Sequence, residues 1–417
     1  MISDAIKSMQ AFTFLYPAVM AIFWMGGGLY YYWRNERHSP GVDSPPLLKN
    51  QPLVSILVPC HNEGDNIEEV VETLLLQHYP MFEILLINDG SADDTAEYLD
   101  RLSEKHDQVR AVHLDRNLGK ANALRMGALA ARSEYLVCID GDALLHPDAV
   151  AWLVAPLLEN PRIGAVTGNP RIRNRSTLLG KLQVGEFSSI IGMIKRAQQA
   201  YGRLFTISGV ICAFRKQALH EIDYWATDMM TEDIDVSWRL QMAKWRLYYE
   251  PHALCYILMP ETLKGLWKQR LRWAQGGTEV VLRYFRRIIR PTQLRMWPLY
   301  LEYLVSVIWA YVMVSLLLLW GVGLFGILPE EWTLKGPYPR SYGLLLALIC
   351  LTQFCVSLLI DSRYEPKVGR HYYWLIWYPI VYWLLSMLTT LVAFPKTLFR
   401  RRGKFATWTS TDRGYKE

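Results

Sequence analysis

Three short runs carry residue types that could do chemistry together. Asp140-Gly141-Asp142 sets two carboxylates either side of a glycine. Such a pair can hold a hard divalent cation against a diphosphate, because magnesium takes one or two carboxylates and completes its octahedron with phosphate oxygens and water. The plainer alternative is a turn with two solvated aspartates. Thr231-Glu232-Asp233 opens a helical stretch, Ile234 to Lys244. Thr231 could cap that helix with Glu232 and Asp233 at its positive end, which in isolation is the simpler account. Alternatively, Asp233 could be a general base. Gln269-x-x-Arg272-Trp273 lies in a basic, aromatic stretch with Trp267 and Lys268. It reads as an interfacial amphipathic helix with Trp at the headgroup level, or as part of a site, since Gln-x-x-Arg-Trp is an uncommon combination.

The surrounding pattern shows what must position these groups. Val54–Pro59, Glu83–Asp89, Arg110–Leu114 and Tyr135–Asp140 are short apolar strands. They alternate with amphipathic helices at Ile67–Gln77, Thr95–Lys105 and Ala121–Ala131. That alternation predicts an α/β domain with a mostly parallel sheet and helices on both faces. Ligands on such sheets bind beyond the C-terminal strand edge, where Asp89, Asp140 and Asp142 fall. No GxGxxG or Walker loop is present, which argues against a dinucleotide or P-loop site.

The chain has 417 residues, 51% hydrophobic yet 20% charged, and a net charge of +6. This split suggests a water-soluble domain joined to membrane segments, and excludes disorder and fibrous repeats. Four apolar runs, Ser8–Trp33, Tyr303–Pro329, Ser341–Ile360 and Tyr372–Pro395, are each long enough for a membrane helix of ~20 residues. The first lacks a small-x-small cleavage site and reads as an uncleaved anchor, with Gly26-Gly27-Gly28 permitting close helix packing. Arg34, Arg37 and Lys49 follow it, and Arg283, Arg286, Arg287, Arg290 and Arg295 precede the second run. By the positive-inside rule the central domain is cytoplasmic. The Asn174-Arg175-Ser176 sequon is then a coincidence. Three further spans would put the C-terminus outside, whereas Lys396, Arg400, Arg401, Arg402 and Lys404 argue for inside. Either one segment is re-entrant or interfacial, with the Pro379-containing last one the first choice, or the tail breaks the rule. Six cysteines without a CxxC pair, each in an apolar stretch, argue against disulfides or a zinc site.

The motifs also stand in a telling order: Pro59, Asn62 and Glu63; Asn88-Asp89-Gly90-Ser91; Asn117-x-Gly119-Lys120; Asp140-x-Asp142; Thr231-Glu232-Asp233; and Gln269-x-x-Arg272-Trp273. Together they resemble the processive family 2 glycosyltransferases, which include cellulose, chitin and hyaluronan synthases. Three longer runs, Asp140–Leu145, Gly164–Arg173 and Leu258–Trp267, are similar to the bacterial poly-β-1,6-N-acetyl-D-glucosamine synthases. The likeness covers nearly the whole chain. It departs at the N-terminus, where some members carry an additional span.

The resemblance implies a GT-A type sheet joined to a transmembrane helical bundle, and UDP-N-acetylglucosamine as donor. It assigns Asp233, with Glu232 beside it, to catalysis. Glu63, Asp89, Lys120 and Asp140 go to the nucleotide side, and Asp142 with Asp140 to a divalent cation, magnesium or manganese. Gln269, Arg272 and Trp273 go to the acceptor terminus and pyrophosphate. It further implies a growing β-linked polysaccharide, a bacterial inner-membrane location in contact with the lipid bilayer, a small two-span membrane subunit, and cyclic di-GMP regulation at a site shared with that subunit. No nucleic-acid partner is expected. The expected divisions are an anchor and basic linker (1–48), a catalytic domain (49–258), basic interface helices (259–296), about three membrane helices (297–395) and a basic tail (396–417). Alternatives are another β-polysaccharide synthase of chitin or hyaluronan type, a non-processive polyprenyl-phosphate glycosyltransferase, and a transporter or receptor that merely binds nucleotide. Gln269, Arg272 and Trp273 argue against the polyprenyl enzyme, and retention of both Asp142 and Asp233 argues against a binding module.

Overall fold

The computed structural model describes residues 2–337, 340–400, 403 and 406. Helix α1 (Ile2–Tyr31) runs through a π-helical turn, Tyr32–Glu36, into a linker. Strands and helices then alternate as β1 (Val54–Cys60), α2 (Ile67–Leu75), β2 (Phe82–Asp89), α3 (Thr95–Lys105), β3 (Val109–Leu114), α4 (Lys120–Ala130) and β4 (Tyr135–Ile139). A second half follows, with β5 (Leu144–Leu145), α5 (Ala149–Glu159), β6 (Ile163–Ile172), α6 (Leu178–Glu186), a π-helical stretch Phe187–Met193, and α7 (Ile194–Ala200). Next come β7 (Ile211–Arg215), α8 (Lys216–Glu221), α9 (Glu232–Met242) and β8 (Arg246–Ile257). The expected elements of the first half are present, with ends shifted by one or two residues.

One eight-stranded sheet results, in the order β3-β2-β1-β4-β7-β6-β8-β5. Strands β3, β2, β1 and β4 are parallel. Strand β7 is antiparallel to both β4 and β6, β6 and β8 are parallel, and β5 is antiparallel to β8. The sheet is therefore mostly parallel with an inverted strand at its centre. Side chains alternate across it with the period of two that a strand imposes. Ile56, Val58, Ile84 and Leu86 pack in one core beneath α2, α3 and α5. Leu57, Leu85 and Ile87 pack in the other, against α4 and α9. The order reverses beside β1, which sends the chain to β2 on one flank while β4 returns on the other. A crevice opens at the C-terminal ends of such a pair.

Helix α10 (Leu263–Ile288) and a 3₁₀ turn, Pro291–Met296, lead into α11 (Trp297–Gly323). A third core of Ile234, Trp238, Val281, Tyr284 and Leu299 ties α9, α10 and α11 together. Helix α12 (Arg340–Asp361), a 3₁₀ segment Val368–Trp377 and α13 (Tyr378–Leu398) complete the chain. Among the described residues, three helical stretches are long and apolar enough to cross a membrane: Asp4–Glu36, Pro291–Gly323 and Ser341–Asp361. Trp383–Leu398 is a shorter apolar helix. Gly27 and Gly28 do sit at a close helix contact, for a Cβ at either would lie under 3.0 Å from Ala197 of α7 or from Met193 at the end of the π-helical stretch before it. Gly26 faces open space.

Both ends of α13 are tied to earlier parts of the chain. Leu375, just before it, rests on Gly185, and Lys181 lies 4.5 Å over the Trp374 ring. Just after it, Arg400 donates to Glu279 of α10 at 2.9 Å and to the Asp228 carbonyl at 3.4 Å. The last apolar segment, α13, is thus tied at one end to α6 and at the other to α10. Pro379 stands in its first turn, where a proline is tolerated. Arg401, Arg402 and Lys404 lie outside the described residues.

The anchor and α12 are pinned to the domain by a buried charge network. Arg196 of α7 holds Glu36 through two contacts, at 2.7 and 3.0 Å, and Asp361 at 3.0 Å. Arg171 of β6 reaches Asp361 at 2.7 Å, and the Tyr364 hydroxyl donates to Glu36 at 2.5 Å. None of the four charged residues is more than 3% exposed. The Asn174 side chain bonds the Met259 backbone on both sides, accepting at 2.9 Å and donating at 2.7 Å, a structural use of the sequon residue. Among the described residues the six cysteines form no disulfide.

Candidate active site

The site lies where β1 and β4 part. Asp140 follows directly on β4, and Lys120 opens α4. Gly119, at φ +92°, makes the turn between the Asn117 loop and the helix, a conformation that favours glycine. The Lys120 ammonium salt-bridges Asp140 Oδ1, donates to the Gly209 carbonyl at 3.1 Å, and lies 3.4 Å from Glu232 Oε1. One lysine therefore joins the Asp140-Gly141-Asp142 turn, the loop before β7, and the start of α9. These carboxylates hold the ammonium well above the ordinary lysine range against the opposing effect of burial.

Asp233 is half-buried in the first turn of α9, where its Oδ1 accepts from the Ile234 amide at 2.9 Å. Burial, and then the Glu232 charge, push its carboxyl up to about 6. Lys120, the Ile234 amide and Arg272 act in the opposite direction. A carboxylate poised there is still ionised at neutral pH yet more basic than a solvated aspartate, as a general base requires. The capping alternative for Thr231 is not realised. Its side chain makes no cap hydrogen bond, and its hydroxyl is buried without a partner among the described residues. It packs instead on Gly276 of α10, where a Cβ would collide with it.

Glu63 and Asp89 are buried, at 1% and 0% exposure. Asp89 accepts from the amides of Leu118 and Gly119 at 3.0 and 2.8 Å, so it clasps the loop that delivers Lys120. Burial raises its carboxyl despite those two amides. Glu63 lies behind the aspartate turn, for a Cβ on Gly141 would come within 3.0 Å of its Cγ. Its backbone amide donates to Thr95 at 2.8 Å. In this arrangement the Asp89 carboxylate acts on a loop bordering the crevice.

The Gln269-x-x-Arg272-Trp273 run lies on α10, against the protein rather than on an open surface. Gln269 is 8% exposed and accepts from Arg270 at 3.0 Å. Trp273 is half-buried against the main core, with the Arg270 guanidinium 4.2 Å from its ring. Arg270 in turn donates to Glu186 at 2.5 Å. The Arg272 Nε is buried without a hydrogen-bond partner among the described residues.

Sequence reasoning missed Lys195. It is 5% exposed, donates to Thr167 at 3.2 Å, and has its ammonium lowered to about 8 by burial, with Asp233 acting against that shift. Nothing in its local pattern sets it apart, because its partners come from β6 and α9. It also missed Arg270 and Glu186, which support the tryptophan.

Two acidic groupings should be kept distinct. Asp43, His146 and Asp148 bring ligand atoms within 4.8 Å of one another and could by geometry hold a metal. They already pair among themselves and with His78, at distances of 3.0 to 3.9 Å. At the Asp140-Gly141-Asp142 turn, the donors are hard carboxylate oxygens beside a lysine. Asp142 is half-exposed; burial, and then the charges of Asp140 and Asp142, raise the nearby Cys255 thiol, so both aspartates act on one place. That donor chemistry fits magnesium or manganese. One Asp140 oxygen is already given to Lys120.

An acidic turn and a poised carboxylate at the edge of this sheet are the parts of a sugar-transferring enzyme. The chain belongs to the glycosyltransferase-like family 2, whose model matches residues 51–276. It is 43% identical over 411 residues to a poly-β-1,6-N-acetyl-D-glucosamine synthase of Staphylococcus aureus (strain MSSA476), spanning 97% of this chain and 99% of that protein. It is 42% identical over 414 residues to the Staphylococcus epidermidis protein of the same name, with the same coverage. Among solved structures it is similar to the mannosyltransferase PcManGT from Pyrobaculum calidifontis in complex with GDP-Man and Mn²⁺. The TM-score is 0.58 at 20% identity, covering 94% of this chain and 99% of that one. This last likeness is one of fold.

Proposed function

We propose that the chain polymerises N-acetylglucosamine from UDP-N-acetylglucosamine into β-1,6-linked poly-N-acetylglucosamine. It does so from a cytoplasmic domain embedded at a bacterial inner membrane, and couples synthesis to export. The reaction class rests on one observation: Lys120 gathers Asp140 and Glu232, and with Glu232 its neighbour Asp233, at one point of the sheet edge. The sugar and linkage rest on likeness to the staphylococcal synthases.

Asp233 takes the proton of the acceptor hydroxyl as its oxygen attacks the anomeric carbon. The bond to the diphosphate oxygen breaks in the same displacement, inverting an α-linked donor to a β-linked product. Lys120 places a cation beside the departing diphosphate, and Glu232 fixes that cation. Glu63 and Asp89 set the nucleotide side through the loops they hold. Asp142, with Asp140, would hold magnesium or manganese, which supplies Lewis-acid stabilisation of the leaving group. Gln269, Arg272 and Trp273 border the acceptor. A small two-span subunit, with cyclic di-GMP bound at a shared site, completes the reading.

The test is product analysis of membranes given labelled UDP-N-acetylglucosamine. A β-1,6 polymer is expected. A single-sugar lipid or no product would overturn the proposal. Two further outcomes are expected. Excess EDTA should stop turnover, and Asp142→Asn should weaken metal-dependent UDP binding; full activity in EDTA would defeat the metal assignment. Trp273→Ala should keep UDP affinity and lose elongation, since misplacing an acceptor by about 1 Å can cost ~10²-fold. Polymer of normal length from a folded Trp273→Ala protein would return this residue to a packing role.

A further inference from the structure

A cavity of about 1040 Å³ opens between α1, α11 and the end of α7, away from the catalytic crevice. Its walls are apolar. Val19 and Phe23 of α1 and Leu301 of α11 are 58%, 49% and 45% exposed, and Val305 lies one turn beyond Leu301. A soluble protein rarely leaves such a groove open, and here both walls are helices long enough to span a bilayer.

Three arginines line the same cavity from the domain side. Arg203 follows α7, Arg246 begins β8, and Arg295 immediately precedes α11. Among the described residues, none of the three has a carboxylate partner. The Arg203 Nε is buried with no hydrogen-bond partner among those residues. Burial, and then the charges of Arg295 and Arg246, hold its guanidinium below its ordinary value. The cavity does contain one acid, Glu302, but its two oxygens accept from the Trp24 indole at 3.2 Å and the Tyr201 hydroxyl at 3.4 Å. Three like charges converge on a space whose one acid is engaged elsewhere. An anion is the missing component, and the apolar walls say that it carries hydrocarbon.

We propose that this groove binds one anionic phospholipid of the domain-side leaflet, its phosphate among Arg203, Arg246 and Arg295 and an acyl chain along Val19 and Val305. The proposal rests on the reading of α1 and α11 as membrane helices. Occupancy would brace α1 against α11 on the domain's membrane side. An arginine near an anionic lipid contributes roughly fivefold in affinity, so losing two should cost on the order of tenfold or more.

The test uses the full chain purified in neutral detergent and titrated with phosphatidylglycerol or phosphatidylcholine, with bound lipid counted by native mass spectrometry. Wild type should retain one phosphatidylglycerol about tenfold more tightly than phosphatidylcholine. Arg203→Gln with Arg295→Gln should abolish the preference, and Leu301→Trp should reduce retention of both lipids. Because Arg295 is exposed, Arg295→Gln alone keeps the test decisive if the double variant does not fold; it should lose about fivefold. Equal retention of the two lipids by wild type, or an unchanged preference in Arg295→Gln, would overturn the proposal. So would displacement of the lipid by millimolar inorganic phosphate, which marks a free-anion site, or by a co-expressed two-span subunit, which marks a protein interface. Failure of the membrane reading shows separately, as a chain that stays monodisperse by light scattering after detergent removal.

Discussion

Asp233→Asn is expected to lower the rate of sugar transfer by ~10²–10⁴-fold while leaving UDP affinity intact. The amide keeps the shape of the carboxylate and its contact with the Ile234 amide region, but it cannot accept the acceptor's proton. Loss of a general base costs that much in enzymes that depend on one. The pH profile carries the same information. Burial and Glu232 push the Asp233 carboxyl up to about 6. The base works only when ionised, so wild-type turnover should hold at neutral pH and fall as pH drops through about 6. The measurement is initial UDP release from pH 5 to 8, together with UDP affinity of the variant. A variant within a few-fold of wild type would remove Asp233 from the reaction.

Asp361→Ala should destabilise the protein by about 3–5 kcal/mol, the cost of removing one partner from a buried ion pair. Arg171 and Arg196 both lean on this one carboxylate, at 2.7 and 3.0 Å, and both are essentially sealed from solvent. Two guanidiniums would be left with Glu36 as their remaining counter-charge in the network. Thermal unfolding of detergent-purified protein reads the effect, and Asp361→Asn should show the same sign at smaller size. An unchanged midpoint for the alanine variant would mean that the network stabilises nothing.

Much of the catalytic half was legible because local periodicity and tertiary role agree there. Ile84-Leu85-Leu86-Ile87 is apolar on both faces because the strand is covered on both, and Thr95–Lys105 is a helix whose sequence pattern and observed bounds coincide. Asp140, Asp142 and Asp233 were found because acidic residues at strand and helix ends are locally visible. What joins them was not. The Lys120 contact with Glu232 spans more than a hundred residues, and the inverted strand β7 owes its direction to its place between β4 and β6. Thr231 misled for a physical reason: a sequence can offer a cap, but only packing against Gly276 decides where the hydroxyl goes. Glu36 was hidden in a stretch read for its basic neighbours Arg34 and Arg37, and its burial depends on Arg196, 160 residues later.

The spacing of that charge network sets an order of events during synthesis. Glu36 leaves the ribosome early, and its partner Tyr364 follows 328 residues later. At ~5–20 residues per second, roughly a quarter of a minute to a minute separates them. For about half of that interval both Arg171 and Arg196 exist without Asp361, so the nascent domain carries two guanidiniums where the finished protein has a closed set of pairs. The junction can reach its final state only after α12 and Tyr364 have been made. Completion of α12 is thus the event that seals the domain, and a chain halted before residue 361 would carry an unfinished, positively charged seam.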